Sequence, residues 1–139
     1  MFLLDTNVVS ELRKASSRRA DPGVLEWARK VPVNTLFISV VSLMELRIGV
    51  GLVARRDPEQ ATALSRWFET QVLPGFRERI LPIDLGVALK CAGLHVPDPR
   101  PERDALIAAT ALAHGLIVVT RNIRDFQDTG ATTYNPWSV

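Results

Sequence analysis

Short apolar runs and stretches of helical periodicity alternate along the chain. The apolar runs lie at residues 2–4, 36–40, 79–82 and 116–119. The last run is β-branched and lacks polar alternation, which is typical of a strand buried on both faces. Residues 131–134 predict a further short strand at a sheet edge. Strands that alternate with helices indicate a parallel sheet with right-handed crossovers.

Helical spacing of apolar residues predicts six helices between these strands. Asp21, Asp57 and Asp84 each precede a helix at the N-cap position, where a carboxylate accepts hydrogen bonds from free backbone N–H groups. Gly115 follows the last helix, where a left-handed residue is favoured. The pattern predicts an α/β fold of three layers, α/β/α, around a mostly parallel sheet of four to five strands. The helices are expected at about residues 6–14, 22–30, 42–54, 58–72, 85–94 and 102–114.

Length and composition restrict the class of protein. A chain of 139 residues suits a single domain over residues 1–139 with a hydrophobic core. With 47% hydrophobic and 23% charged residues, the composition is that of a soluble globular protein. The longest apolar stretch, residues 106–119, is interrupted by polar residues and is shorter than the roughly 20 residues of a membrane span. Because the single cysteine, Cys91, cannot form an internal disulfide, a reduced, cytoplasmic setting is expected.

The charge of the chain discriminates weakly between partners. A net charge of +2 does not indicate nucleic-acid binding by itself. Arginine greatly outnumbers lysine, and its planar guanidinium pairs well with phosphate, but a GC-rich genome would give the same bias. Basic residues between positions 13 and 19 predict an exposed loop, for which simple solvation is the favoured interpretation.

Carboxylates occur where the predicted strands and helices meet. Asp5 follows the first strand, and Glu45 lies in the expected first turn of the helix after the second. Asp104 lies in the first turn of the helix before the fourth strand, and Asn122 and Asp125 follow that strand. In a parallel three-layer fold these positions fall at or near one end of the sheet, where ligands bind. Converging carboxylates repel one another, and Mg²⁺ or Mn²⁺ relieves that repulsion with an oxygen-only ligand set.

Each acidic residue also has a purely structural interpretation. Asp5 suits the N-cap of the helix that follows it, and Ser42 with Glu45 matches a capping box. Asp104 would interact favourably with a helix dipole, and Asp125 taken alone reads as a turn residue. Small residues one turn beyond Glu45 and Asp104 leave room above both carboxylates, which a cap does not need. The spacing favours a metal site but leaves the structural alternatives open.

Four segments of the chain resemble the motifs of PIN domains. They are Leu-Leu-Asp-Thr-Asn at residues 3–7, the Glu-Leu-x-x-Gly pattern at 45–49, and the segments at 103–111 and 119–126. The order of the segments and the length of the chain match that family nearly end to end. The closing Tyr-Asn-Pro-Trp at residues 134–137 is similar to the FitB-like branch of the VapC toxins.

The resemblance implies a Mg²⁺-dependent endoribonuclease, with Mn²⁺ as an alternative ion. It implies the toxin of a type II, VapBC-like toxin–antitoxin system, which hydrolyses RNA phosphodiester bonds. The family further implies a homodimer and a VapB/FitA-like antitoxin whose C-terminal segment blocks the acidic site. Only the complex with the antitoxin would bind operator DNA.

The resemblance also implies roles for individual residues. Many family members carry Asp at the position of Asn122, whereas this chain has its carboxylate at Asp125. The resemblance therefore leaves open whether the site binds one metal ion or two. Asp5 and Asp104 would be the main metal ligands and Glu45 would complete the acidic site. The implied catalytic residues are Asp5, Glu45, Asp104 and Asp125. The implied supporting residues are Thr6, Asn7, Thr120 and Asn122, of which Thr6 and Asn7 would orient Asp5.

Two other functions are weighed against the nuclease. A phospho-accepting module built on Asp5 would need an acidic pair after the first strand and a lysine after the last, and neither is present. A catalytically weak PIN-like subunit that acts with its antitoxin on operator DNA is the alternative that Asn122 supports. His95 and His114 fit structural roles better than a metal-free ribonuclease pair.

Overall fold

Five parallel strands form the centre of the molecule in the computed structural model, which describes residues 1–138. Their spatial order is β3-β2-β1-β4-β5, and each neighbouring pair is parallel. The sheet and its flanking helices confirm the predicted three-layer α/β/α class. The predicted single domain includes residue 139, which lies outside the described residues, and stays a prediction. The strands are β1 (Phe2–Leu4), β2 (Leu36–Ser39), β3 (Ile80–Leu81), β4 (Ile117–Val119) and β5 (Thr133–Tyr134).

The helices follow the predicted caps. The carboxylates of Asp21, Asp57 and Asp84 each accept a hydrogen bond from a backbone N–H in the first turn of the helix that follows. Gly115 ends the last helix with a φ of 66°, which glycine adopts without steric cost. The α-helices are α1 (Thr6–Leu12), α2 (Pro22–Lys30), α3 (Val40–Ala54), α4 (Pro58–Trp67), α5 (Leu73–Gly75), α6 (Leu85–Leu94) and α7 (Glu102–His114), and a π-helical turn at Phe68–Val72 joins α4 to α5.

The start of α3 differs from the prediction. The helix begins at Val40 because the hydroxyl of Ser39 accepts a hydrogen bond from the backbone N–H of Val41 over 3.0 Å. The predicted capping box is therefore wrong: Ser42 is buried inside the helix, and Glu45 lies in the second turn rather than the first. The apolar run continues from strand into helix without interruption, so hydrophobic pattern alone does not mark the boundary.

Both faces of the sheet are buried, which accounts for the unbroken apolar runs. Leu4 and Val119 pack with residues of α1 and α3 in one core cluster. Leu3 and Val118, their immediate neighbours, point to the other face and pack against Ile107 of α7. Successive side chains of a strand alternate between faces, so a helix layer lies on each side. Among residues 1–138, no helix combines the length and the apolar character that crossing a membrane requires.

The C-terminal tail packs tightly against the start of α2. A Cβ at Gly23 would lie 2.6 Å from both the carbonyl oxygen of Pro136 and the backbone nitrogen of Ser138. Asp21, which caps α2, also accepts a hydrogen bond from that nitrogen over 2.9 Å. The absence of a side chain at Gly23 is thus what lets the tail approach.

Replacing Gly23 with alanine is expected to destabilise the fold by about 1–3 kcal/mol, the usual cost of overpacking. The matched control is Gly51→Ala in α3, where a Cβ would meet nothing within 4 Å. There the higher helix propensity of alanine should add up to about 1 kcal/mol of stability. Urea denaturation followed by tryptophan fluorescence measures both. Equal stabilities for the two variants would contradict the tail contact.

Candidate acidic active site

Asp5 lies at the carboxyl end of β1 and is buried. Its Oδ1 accepts a hydrogen bond from the backbone N–H of Thr6 over 2.8 Å, which makes it the N-cap of α1. Its Oδ2 accepts a hydrogen bond from the hydroxyl of Thr120 over 2.8 Å. Thr120 directly follows β4, the strand next to β1. The carboxylate is therefore a cap and also part of a contact between two strand ends.

Thr120 connects several of the residues predicted to support the site. Besides donating to Asp5, its Oγ1 accepts hydrogen bonds from Nδ2 of Asn7 at 3.5 Å and from the backbone N–H of Asn122 at 3.0 Å. The backbone N–H of Thr6 hydrogen-bonds Asp5, and its hydroxyl donates to Oε1 of Glu45 over 2.6 Å. The structure thus brings these residues together, and the roles assigned to them stay predictions.

Asp104, in the first turn of α7, carries a strongly perturbed carboxyl group. Its pKa is raised from the ordinary 3.8 to about 6. Burial is the largest cause, and the negative charges of Asp125, Asp5 and Glu45 add to it. No hydrogen bond or cation among the described residues offsets these effects. The negative charges of three other acidic residues therefore act on Asp104.

The pKa of Asp5 is also raised, chiefly by burial. Hydrogen bonds from Thr120 and the backbone of Thr6 oppose that rise, while the charges of Glu45 and Asp125 add to it. The charge of Asp125 thus raises the pKa of Asp5 as well as that of Asp104, so the residue lies near the pocket. Asp125 itself is exposed in the 3-10 turn Ile123–Phe126, so its role as a turn residue and its predicted role in the site both stand.

A carboxylate of this acidic pocket forms an ion pair with an arginine. Nη1 of Arg103 is 3.8 Å from Oε2 of Glu45, and the Arg103 side chain is half exposed. Sequence reasoning assigned Arg103 no role, although it precedes Asp104 in the third motif. Among residues 1–138, Arg103 is the one cation within 4.0 Å of a pocket carboxylate, so the four carboxylates keep excess negative charge. Oxygen-only donors with uncompensated charge fit a hard divalent cation, which would relieve the repulsion that raises these pKa values.

The acidic residues do not bring three carboxylates within 4.8 Å of one another; among residues 1–138, one group of candidate metal ligands is that close, and it lies away from the pocket. The candidate ligand atoms of Cys91, His95 and Glu102 all lie within 4.8 Å of one another. However, the backbone N–H of Arg100 donates to Nδ1 of His95 over 3.0 Å, so the neutral ring carries its proton on Nε2. Nε2 is the nitrogen that faces Glu102, at 3.4 Å. A protonated nitrogen offers a metal no lone pair, so the arrangement favours a structural contact between α6 and α7.

The hydroxyl of Thr120 offers a direct test of the pocket's hydrogen bonding. Thr120→Val keeps the shape but removes the donor to the buried Asp5 carboxylate. The variant is expected to lose about 2 kcal/mol of stability near neutral pH, the typical cost of a hydrogen bond lost from a charged group. Thr120→Ser retains the hydroxyl and should lose less. Urea denaturation compares the three proteins, and a Val variant as stable as the Ser variant would show that the bond contributes nothing.

Comparison with known proteins supports the fold and the motifs together. The family model described as PIN domain matches residues 2–131. The chain belongs to the PIN-domain family. The predicted resemblance and the PIN fold are thereby confirmed, and the four carboxylates of this PIN domain stand in the motif segments by which the family was identified.

Relatives that align with nearly the whole of this PIN domain include proteins named as toxins and ribonucleases. It is 38% identical to VapC ribonuclease Y4jK of Sinorhizobium fredii, covering 99% of this chain and 98% of that protein. It is 34% identical to toxin FitB of Neisseria gonorrhoeae, covering 99% of each. The solved structure of FitAcB from Neisseria gonorrhoeae matches with a TM-score of 0.88 and 32% identity, over the whole of both chains. The predicted place beside FitB and the VapC proteins is confirmed.

Proposed function

We propose that this PIN domain is a divalent-metal-dependent endoribonuclease and the toxin of a VapBC-like toxin–antitoxin pair. The observation that carries the proposal is the acidic pocket, in which the pKa of Asp104 is raised to about 6 with no cation to lower it. Relatives support the reaction class, since their names include VapC ribonuclease and, at 30% identity, the tRNA(fMet)-specific endonuclease VapC of Shigella flexneri. RNA is the proposed substrate.

Asp5 and Asp104 would hold the ion, Mg²⁺ or Mn²⁺. A bound divalent ion supplies Lewis-acid stabilisation of the negative charge that develops on an attacked phosphate. The hydrogen bonds from Thr6 and Thr120 to Asp5 fix the orientation of that carboxylate before the ion binds. Such preorganisation avoids rearrangement during the reaction.

Glu45 would take a proton from the attacking water. The hydroxyl of Thr6 and the guanidinium of Arg103 hold one carboxylate oxygen each, at 2.6 and 3.8 Å. These two contacts restrict the orientation of the Glu45 carboxylate, and general-base catalysis depends on a positioned side chain. Asp125 contributes negative charge to the same pocket. Asn122 contributes an amide and no charge, so a single ion is the simpler expectation.

The proposed partners follow from the solved relatives. Related structures are described as FitAB bound to a DNA fragment and as VapBC2 of Rickettsia felis bound to promoter DNA. By analogy, this chain would form a homodimer in the cytoplasm and bind a VapB/FitA-like antitoxin. The complex, rather than the toxin alone, would contact operator DNA.

The test is cleavage of RNA by the purified chain, freed of antitoxin. A structured RNA pool and a single-stranded DNA control are incubated with Mg²⁺, with Mn²⁺ and with EDTA. Cleavage of RNA is expected with either ion, none with EDTA, and recovery when the ion is restored. Cleavage that persists in EDTA would contradict the metal-dependent mechanism.

A catalytically weak, binding-only subunit is the second candidate, and the uncharged Asn122 in the last motif favours it. It predicts that folded protein cleaves no RNA under any of these conditions. It also predicts that the complex with the antitoxin still shifts operator DNA in a gel. The two readouts together separate the candidates.

A further inference from the structure

Arg121 lies beside the acidic pocket and is fixed there through its backbone. It directly follows Thr120, whose hydroxyl donates to Asp5. The backbone N–H of Arg121 donates to Oδ1 of Asn7 over 3.4 Å. The side chain therefore starts one residue from the hydrogen-bond donor of Asp5, and it is exposed to solvent.

An aromatic ring supports the guanidinium of Arg121. The central guanidinium carbon lies over the ring of Trp137, 5.5 Å from its centroid, within the range of a cation–π contact. Trp137 is half-buried against the core, and the next residue, Ser138, donates its backbone N–H to Asp21. Because the ring is anchored, Arg121 has less side-chain freedom to lose when it binds a ligand.

The positive charge beside the pocket has no carboxylate partner. Among the described residues, neither Arg121 nor Arg124 has a carboxylate oxygen within 4.0 Å. Both line an open depression of about 520 Å³ whose wall includes Asn122 and Asp125. Two exposed cations thus line the same depression as Asp125, one of the four carboxylates of the acidic pocket, and an anionic group bound there would pair with them.

A nucleic-acid strand fits a surface on which positive charge lies next to a pocket of negative charge. A phosphate seated at the acidic pocket carries its neighbours along the strand, and the carboxylates repel those neighbours. A guanidinium beside the pocket offsets the repulsion, and arginine pairs with phosphate through two parallel hydrogen bonds. Contacts to phosphate position the strand and carry no sequence information.

We propose that Arg121, positioned by Trp137, binds an RNA phosphate next to the one at the acidic pocket, with Arg124 as a second charge on the same depression. The inference rests on the proposed ribonuclease function and adds the residue that holds the flanking backbone. The segment at residues 119–126 would then contact the substrate through Arg121, in addition to the hydrogen bond that Thr120 donates to Asp5.

The experiment measures binding of a labelled single-stranded RNA by fluorescence anisotropy in EDTA, over a range of KCl concentrations. Arg121→Ala is expected to bind about tenfold more weakly, as for the loss of one charged hydrogen-bonding group. The slope of log K against log salt should fall in magnitude by about 0.7, the value for one phosphate contact on a single strand. Arg121→Lys should keep the slope but recover only part of the affinity, because lysine lacks the fork.

Arg56→Ala is the matched control. Arg56 is an exposed arginine in the turn after α3, and the helix from Glu45 to Ala54, about 15 Å long at about 1.5 Å per residue, separates it from the pocket. Its loss should change neither affinity nor slope. If Arg121→Ala behaves like Arg56→Ala while the wild type binds and cleaves RNA, the inference is overturned and the nuclease stands. A folded wild type that neither binds nor cleaves RNA removes the proposed function, and the inference with it.

Two further readouts separate a substrate contact from a structural role or a different occupant. With Mg²⁺, Arg121→Ala should raise KM and leave kcat largely unchanged, whereas a disturbed pocket would lower kcat. Polyglutamate serves as an acidic-peptide probe. If it binds in an Arg121-dependent way while RNA binding is independent of Arg121, the site belongs to an acidic peptide and the inference is wrong.

Discussion

Asp104→Asn is expected to reduce Mg²⁺-dependent RNA cleavage by about 10³-fold, the upper range for removing one electrostatic group from an active site. The substitution keeps the size of the side chain and removes the charge that would hold the ion. Asp5→Asn should have a similar effect, because the Asp5 carboxylate is the other proposed ligand. Single-turnover cleavage of the same RNA, with circular dichroism to confirm folding, measures both variants.

Glu102→Gln is the matched control for Asp104→Asn. Glu102 also lies in the first turn of α7, but it contacts Cys91 and His95 instead of the pocket. Its replacement should leave cleavage within about twofold, as expected for a change outside the active site. Equal losses in the two variants would point to a general disturbance of the helix start. Full activity in folded Asp104→Asn would exclude Asp104 from the reaction.

The same substitution is expected to stabilise the metal-free protein at neutral pH. In the folded chain the pKa of Asp104 is about 6, above the ordinary 3.8. The folded state therefore binds the proton more tightly, and stability falls as pH rises from about 4 to about 6. Above that window the wild type carries the whole cost, at most about 3 kcal/mol and closer to 1–2 because the half-buried group is partly screened. The Asn variant escapes that cost.

Urea denaturation in EDTA at several pH values measures this effect. The advantage of Asp104→Asn should be near zero at pH about 4 and greatest above pH about 6. Mg²⁺ should then stabilise the wild type, since a ligand that binds only the folded state shifts the unfolding equilibrium. It should stabilise the Asn variant much less. An advantage independent of pH, or an Asn variant less stable at neutral pH, would contradict the electrostatic description of the pocket.

Local chemistry explains which parts of the fold the sequence predicts. Asp21, Asp57 and Asp84 act on backbone N–H groups a few residues away, so their capping roles are visible in the sequence. The start of α3 is not visible in the sequence, because Ser39 and Ser42 are both acceptable caps and the apolar run passes through them. Tertiary position decides between the two, and it buries Ser42.

In the candidate site, too, the sequence predicts some features and tertiary packing determines the others. The motif pattern identifies its acidic residues, and strand order explains why Asp5 meets Thr120 from a distant segment. The contacts of Glu45 with Thr6 and Arg103 join segments far apart in the chain and depend on how α3 packs against α1 and α7. Single-sequence patterns do not encode such packing. The anchoring of the tail at Gly23 is of the same kind.

The most direct test of the acidic pocket is the anomalous signal of Mn²⁺ in crystals of the wild-type protein. An ion bound by the pocket predicts an anomalous difference peak in contact with the carboxylates of Asp5 and Asp104, absent from crystals of Asp104→Asn grown alike. A peak at Cys91, His95 and Glu102 instead, or none while the four acidic side chains are ordered, would contradict a metal-dependent nuclease site.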